Sequence, residues 1–446
     1  MSRKHGFLDL IDRRVGVWGI GLEGRTTIMA LRSVTADIVM VDDNPGESAQ
    51  ILKTDDGGLE ALATCDIVFK TPGIPRRRPD VLALEAQGVY VTSALNYYMV
   101  PFFRERTIAV TGTKGKSTVT SLSKFFFDVL DVKALAVGNI GRPPYDTTLD
   151  TSEGWLVTEM SSFQTVDIED APPIIAITSL GSDHLDWHGS QEQYVTDKLS
   201  ITTKPGDHVT IAHDEPSLRA EAHQLGGTVV WVSGRHPELT SALGLLGEHN
   251  VNNVEMALTI VATALQRSVD DIAAEVTPRA GEFTPLPGRL TRVTSGLPED
   301  AVTYIDDGLA TSVTPAIAAI TLFVDQPLVL LCGGFDRGVD YAPLADALAS
   351  RTAPTHVLTL GPAGERIGES LGGRVTREAV ATMDEAVARA REVLSGSGVM
   401  LFSPAAPSFD RYTNWEERSK DFTRAVSATG QTDDETDKQS GNQSPA

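Results

Sequence analysis

Apolar residues in this chain cluster in short unbroken runs, each closed by glycine, proline, serine or an acidic residue, and they do not alternate strictly with polar ones. Arg14–Trp18, Asp37–Val41 and Asp66–Lys70 form a first set, with a helical stretch to about Leu31 between the first two. Thr107–Val110, Trp155–Glu159 and Ile174–Ser179 form a second set, and Val302–Asp306, Leu328–Leu331, His356–Leu360 and Val399–Phe402 a third. Such runs predict strands buried on both faces, the habit of parallel sheets whose crossovers are helices. Helical patterns fill the gaps, best over Met383–Leu394. Ser190-Gln191-Glu192-Gln193 has capping-box spacing and predicts the start of a helix carrying Tyr194 and Lys198. The β–α alternation places the chain in the α/β class. Blocks 1–104, 105–284 and 285–427 are expected, followed by a Gly/Ser/Thr/Asp/Gln-rich tail, 428–446, that is expected to be disordered.

Composition narrows what such a chain can do. Its 446 residues are 41% hydrophobic and 22% charged, enough apolar material for large cores. The net charge of -22 argues against a general nucleic-acid binder, which needs Lys and Arg in excess. Cys65 and Cys332 stand far apart, so no disulfide scaffold is expected and a reducing cytosol fits. No apolar run approaches the ~18 residues of a membrane span, and MSRKHGFLDLIDRR lacks the apolar stretch of a signal peptide. The expectation is a cytoplasmic protein, monomeric, with no membrane or nucleic-acid partner.

Candidate chemistry sits where the strands end. Gly19, Gly21 and Gly24 lie between a strand and a helix, with Asp42 and Asp43 about 20 residues on, the Rossmann spacing. A nicotinamide oxidoreductase, another nucleotide ligand or a plain turn all satisfy that motif. Gly112-Thr113-Lys114-Gly115-Lys116-Ser117-Thr118 keeps the working half of a Walker A loop, although Val110 stands where the full motif has glycine. Backbone N–H groups around Gly115 can surround phosphate oxygens, Lys116 can reach terminal phosphates, and the Ser117 hydroxyl can hold Mg²⁺. Glu159 and His184 follow buried strands and could complete a Mg²⁺ site, while His184-Leu185-Asp186-Trp187-His188 could instead be a zinc cluster or ordinary loop polarity. Lys198 lies on a helix, where most lysines are simply solvated. Arg289, Asp306-Asp307, Gly333–Gly338 and Ser403–Phe409 offer a cation, carboxylates and turns for a further wall.

Taken together, GTKGKST at 112–118, EMSSFQ at 159–164, DHLDWHG at 183–189, YVTDKLS at 194–200, GEHNVNN at 247–253, PLPGRL at 285–290, GGFDRG at 333–338 and SPAAPSFDRYTNW at 403–415 resemble the Mur ligases, ATP-dependent amino-acid-adding enzymes of peptidoglycan synthesis. The resemblance runs from about residue 14 to 425. It implies a three-domain architecture: a Rossmann-like N-terminal domain for a UDP substrate, a P-loop ATPase centre and a Rossmann-like C-terminal domain for the amino acid. EMSSFQ and SPAAPSFD resemble members that add glutamate to UDP-N-acetylmuramoyl-L-alanine. By that resemblance Leu22, Glu23, Asp42, Gly73 and Asn139 would meet the UDP substrate. Gly112 through Thr118, with Asn250, Asn253, Arg289 and Asp307, would bind ATP, and His249 would lie near the adenine. Ser117, Glu159, His184 and Lys198, the last as a carbamate, would form the Mg²⁺ sites. Lys116, Lys198 and His184 would be catalytic, and Thr311, Ser408, Phe409 and Trp415 would receive glutamate.

Departures from the pattern carry information. D-glutamate-adding members have Asp-Ser-Lys-Ala-Thr-Asn where this chain has Asp307-Gly308-Leu309-Ala310-Thr311-Ser312, so a cation that would grip a carboxylate is gone. That change, with the DWHG, GGFDRG and SPAAPSF forms, favours the subgroup that adds L-glutamate, with the D-glutamate enzyme as the alternative. Ser179 stands where many members have asparagine. A folate-polyglutamylating ligase would not need the N-terminal block, and a non-catalytic relative would not need Lys116, Ser117, Glu159, His184 and Lys198 together.

Overall fold

The computed structural model describes residues 6–428; the tail expected from residue 428 lies, beyond Ala428, outside them. The described residues form three sheets. The first contains β1 (Val15–Trp18), β2 (Ile38–Asp42), β3 (Leu52–Lys53), β4 (Ile67–Lys70) and β5 (Tyr90–Thr92), in the order β3-β2-β1-β4-β5. Its pairs are all parallel, with Val15 opposite both Ile38 and Ile67. The second contains β6 (Thr107–Thr111), β7 (Ala134–Gly138), β8 (Trp155–Glu159), β9 (Ile174–Ile177), β10 (Val209–His213) and β11 (Thr228–Val232), in the order β11-β10-β9-β6-β8-β7 and again all parallel. The third contains β12 (Thr291–Val293), β13 (Val302–Asp306), β14 (Leu328–Gly333), β15 (Thr355–Leu360), β16 (Thr376–Ala379) and β17 (Gly398–Phe402), in the order β12-β13-β17-β14-β15-β16. Only its edge pair β12–β13 is antiparallel.

The expected strands are the central ones, buried along their whole length in β1, β4, β6, β9 and β14. The strands that the apolar pattern does not mark include β3 and β16, sheet-edge strands with largely exposed, mixed side chains. Where no second face is buried, a run of Val and Ile is not required.

The chain divides into two compact units. The first comprises the residues up to Leu243 together with Glu248–Phe283, and so holds the first two sheets. These share one apolar cluster: Phe7 lies with ring centroids 5.7 Å from Phe69 and 5.7 Å from Tyr145. A buried Lys70–Asp167 ion pair at 2.5 Å links the end of β4 to the turn after β8. The second unit comprises Gly244–Gly247 and the residues from Thr284, with apolar clusters against its sheet built around Ile305 and Leu330, and around Met400 and Phe422.

Candidate active site

In the first unit, β6 is flanked by β8 and β9, so the chain leaves to opposite sides of it and the loop after Thr111 opens at the sheet's switch point, where α/β proteins bind ligands. Gly115 caps the helix Lys116–Val129 at φ +87°, and Gly112 at φ +146° has no room for a side chain, because a Cβ would lie 2.1 Å from Thr178 Oγ1. The loop is pinned from outside. Thr113 N donates to Ser179 O at 2.9 Å, and the Ser179 hydroxyl accepts from Lys114 N at 2.8 Å while donating to Lys114 O at 3.0 Å. The serine that departs from the family pattern therefore anchors this loop. Thr113 Oγ1 is 2.8 Å from Tyr194 Oη and accepts from Gly181 N at 2.8 Å.

Two lysines converge on one carbonyl. Lys116 Nζ donates to Gly112 O at 2.9 Å and Thr113 O at 3.1 Å, and Lys198 Nζ donates to the same Gly112 O at 2.9 Å. Lys198 is only 2% exposed. Burial first, and then the charge of Lys116, hold its amine well below the usual lysine range, with Asp183 opposing. Ser117 is buried in the first helical turn, Thr118 is half-buried beside it, and the Lys114 side chain is exposed.

Glu159 ends β8, opposite Val110 of β6. Its Oε1 accepts from Asn139 Nδ2 at 2.9 Å, and its buried Oε2 has no hydrogen-bond partner among the described residues. Asn139, expected at the UDP substrate, thus orients the carboxylate. His184 opens the short helix Leu185–His188 at φ +50°, with its side chain 52% exposed and its ring 4.8 Å from Phe163. The zinc alternative does not form. His188 turns inward, with Nε2 2.9 Å from Ser162 Oγ and Nδ1 2.7 Å from Asp197, and among the described residues no three His, Cys, Asp or Glu gather as a metal site.

Asn250 and Asn253 lie buried on the helix Glu248–Leu265, where Asn253 Nδ2 donates to Asn250 Oδ1 at 3.0 Å. Asn253 Oδ1 stands 2.6 Å from where a Cβ on Gly115 would be, so this helix closes against the phosphate loop. His249 is exposed.

At the first sheet, Leu22 is exposed and so is Gly73. Two carboxylates point inward. Asp42 accepts from Ile20 N at 2.5 Å and Asn44 N at 2.8 Å, which fixes its own glycine turn. Glu23 accepts from Tyr145 Oη at 3.0 Å and Gln164 Nε2 at 3.5 Å, and burial raises its pKa.

The second unit holds the remaining expected residues. Asp307 Oδ2 accepts from Ser403 Oγ at 2.8 Å, and burial foremost raises its pKa to about 7. Neighbouring Asp306, raised to about 6 mainly by burial, accepts from Gly288 N, Gly308 N and Ser419 Oγ. The Trp415 ring lies against Gly288, beside half-buried Arg289. Ser408 is buried, Thr311 half-buried and Phe409 exposed. Sequence reasoning missed Arg418. Buried, with its pKa lowered by burial to about 10, it donates to Pro407 O and Ala406 O at 3.0 Å and to Gly308 O and Gly333 O at 3.3 and 3.4 Å. It thereby knots the loops after β13, β14 and β17. Its signal was a lone arginine on the stripe Arg418, Phe422, Ala425, Val426 of the helix Trp415–Ser427.

Comparison with known proteins meets this geometry. The Mur ligase middle domain family matches residues 110–238, the stretch that carries the phosphate loop, Glu159, His184 and Lys198. A UDP-N-acetylmuramoyl-L-alanine–L-glutamate ligase from a Micromonospora species is 36% identical over 94% of this chain and 98% of its own. This chain belongs to the Mur ligase family. A UDP-N-acetylmuramoylalanine–D-glutamate ligase from Symbiobacterium thermophilum is 29% identical over 94% of this chain and 98% of its own. In fold, the UDP-N-acetylmuramate-alanine ligase of Thermotoga maritima superposes with a TM-score of 0.53 at 20% identity, covering 92% of this chain and 98% of that one. The chain is accordingly an ATP-dependent acid–amino-acid ligase with the α/β architecture of that family. The nicotinamide reading of Gly19–Gly24 falls away. Among the described residues, no helix is long and apolar enough to cross a membrane.

Proposed function

We propose that this ligase joins glutamate, with the L isomer preferred, to the alanyl carboxylate of UDP-N-acetylmuramoyl-L-alanine in peptidoglycan synthesis. The observation that carries the reading is the convergence of Lys116 and Lys198 on Gly112 O in a glycine loop, in the same sheet as a buried carboxylate oxygen that has no partner among the described residues. The preference for L rests on the Micromonospora relative and on Leu309 standing where a cation is otherwise expected.

In this reading, the loop from Gly112 to Thr118 receives the ATP phosphates, and Lys116 exchanges its loop carbonyls for γ-phosphate oxygens. Asn250 and Asn253 support the nucleotide; the assignment of Arg289 and Asp307 to ATP rests on the family resemblance alone. The substrate carboxylate attacks the γ-phosphorus, ADP leaves, and an acyl phosphate forms. The neutral amine of glutamate then attacks the acyl carbon, and phosphate leaves as the tetrahedral adduct collapses. Lys116 stabilises charge developing on the transferring oxygens.

Mg²⁺ fits the residues present. The Glu159 oxygen with no partner among the described residues is a hard oxygen donor, and the Ser117 hydroxyl, His184 and a carbamate on Lys198 would complete the set. When bound, it would neutralise phosphoryl charge. A carbamate forms only on a neutral amine, and the burial of Lys198 lowers its pKa toward that form. Leu22, Glu23, Asp42, Gly73 and Asn139 line the sugar-nucleotide's path, with Glu23, Asp42 and Asn139 acting through the segments they hold. Thr311, Ser408, Phe409 and Trp415 receive glutamate. The enzyme works as a cytoplasmic monomer on small molecules.

Phosphate release with ATP, Mg²⁺, UDP-N-acetylmuramoyl-L-alanine and each glutamate enantiomer tests the reading. Faster release with L-glutamate is expected. Faster release with the D isomer would move the enzyme to the other subgroup, and none with either would end the proposal.

A further inference from the structure

A chain of hydrogen bonds in the first unit is used by no step above. Asp197 sits at its middle, and its carboxylate accepts from four donors: Arg77 Nη1 at 2.9 Å, Arg77 Nη2 at 2.7 Å, His188 Nδ1 at 2.7 Å and Gln193 Nε2 at 2.9 Å. Burial foremost lowers the pKa of His188. A neutral ring that gives its Nδ1 proton to Asp197 must accept at Nε2, where the Ser162 hydroxyl donates at 2.9 Å. Serine, histidine and aspartate in this order form a hydrolase triad elsewhere, but Ser162 is 2% exposed and His188 6%, so no acyl group reaches that hydroxyl.

The chain instead joins the segments that bear the site. Ser162 lies in the turn after Glu159, His188 closes the helix that His184 opens, and Asp197 precedes Lys198. Arg77 comes from the first sheet, in the loop beyond Gly73. A long lysine side chain left to itself turns its head toward water. The helix Gln191–Leu199 has nine residues, and successive residues on a helix stand about 100° apart around its axis. Holding Asp197 from outside its helix by Arg77 and His188 therefore fixes the direction of Lys198, whose Nζ stays on Gly112 O.

We propose that Asp197 is a positioning residue: with Arg77, His188 and Ser162 it sets the register of the Glu159, His184 and Lys198 segments against the phosphate loop, and through Arg77 it ties that register to the sugar-nucleotide domain. What those segments then do rests on the functional reading above; the register itself does not.

The test uses the full chain with Asp197→Asn, Arg77→Met and Arg77→Lys. Hydrogen exchange read by mass spectrometry should rise about tenfold or more in peptides covering 159–165, 183–189 and 191–199 of the first two variants, while the strands β6, β8 and β9 keep their protection. In steady state kcat should fall about 10- to 100-fold in Asp197→Asn, with the KM for ATP changed less than about twofold. Arg77→Lys, which keeps the charge but loses the two-pronged fit, should recover part of the loss seen in Arg77→Met. Where the wild type turns over, absence of either the exchange signature or the kcat loss overturns the proposal, as does loosening spread evenly over the unit. If Asp197→Asn does not fold, Arg77→Met carries the same test from the half-exposed end of the chain. A wild type that releases no phosphate sinks the functional reading alone, and the exchange pattern then decides the positioning.

Discussion

Asp307→Asn separates the cost of a buried carboxylate from its use. The folded Asp307 holds its proton up to about pH 7, whereas the unfolded chain releases it near 3.8. Between those values the unfolded state binds fewer protons, so stability falls as pH rises; the penalty is absent below about pH 4 and complete above pH 7. Raising the carboxyl from 3.8 to about 7 corresponds to ~4 kcal/mol, and burial rather than any partner is the main cause. Asparagine removes that penalty, keeps an acceptor for Ser403 Oγ, and leaves a buried amide N–H at a cost of about 1–2 kcal/mol. The net gain at pH 8 is ~2 kcal/mol, equivalent to about 4–8 °C in the melting midpoint of the second unit. Calorimetry at pH 5 and pH 8, with hydrogen exchange in β13 and β17 to localise the effect, measures it. The variant should lose Asp307's share of the pH slope, keep that of Asp306, and gain stability at pH 8, while its affinity for ATP falls. A variant with the wild-type pH slope would refute the assignment of that slope to Asp307.

Other perturbations test other parts. Lys116→Met should lower substrate-dependent phosphate release at least ~100-fold without unfolding the protein; near-normal turnover would contradict its role at the γ-phosphate. Lys198→Ala should be inactive and partly rescued by small carboxylates, whereas full activity in the plain variant would remove the carbamate. Lys70→Met strands the buried Asp167 and should lower stability by about 3–5 kcal/mol in chemical denaturation, with Lys70→Met/Asp167→Leu recovering most of it; an additive double variant would contradict the pairing. Leu309→Lys should raise kcat/KM for D- relative to L-glutamate about tenfold or more, and an unchanged ratio would detach that position from isomer choice.

What could be read in the chain alone follows from what each signal depends on. Central strands such as β6, β9 and β14 announce themselves because both faces are buried, while β3 and β16 depend on neighbours the pattern does not contain. The box expected at Ser190 is half formed. Ser190 Oγ accepts from Gln193 N, but the Gln193 amide turns to Asp197, a carboxylate one helical turn on. The complete box is at Ser161 and Gln164, inside a motif read only for its chemistry. The glycine loop was legible since backbone conformation and phosphate chemistry both demand those residues. The inward turns of Glu23 and Asp42 were not, because a carboxylate's direction is set by partners distant in sequence such as Tyr145. Arg418 and the four donors around Asp197 escaped notice for the same reason.

The central claim is that this site activates a substrate carboxylate with ATP. Its most direct measurement is the fate of ¹⁸O placed in the alanyl carboxylate of UDP-N-acetylmuramoyl-L-alanine during turnover with ATP and L-glutamate. One labelled oxygen in each inorganic phosphate released is the predicted result. Phosphate released without label would contradict it.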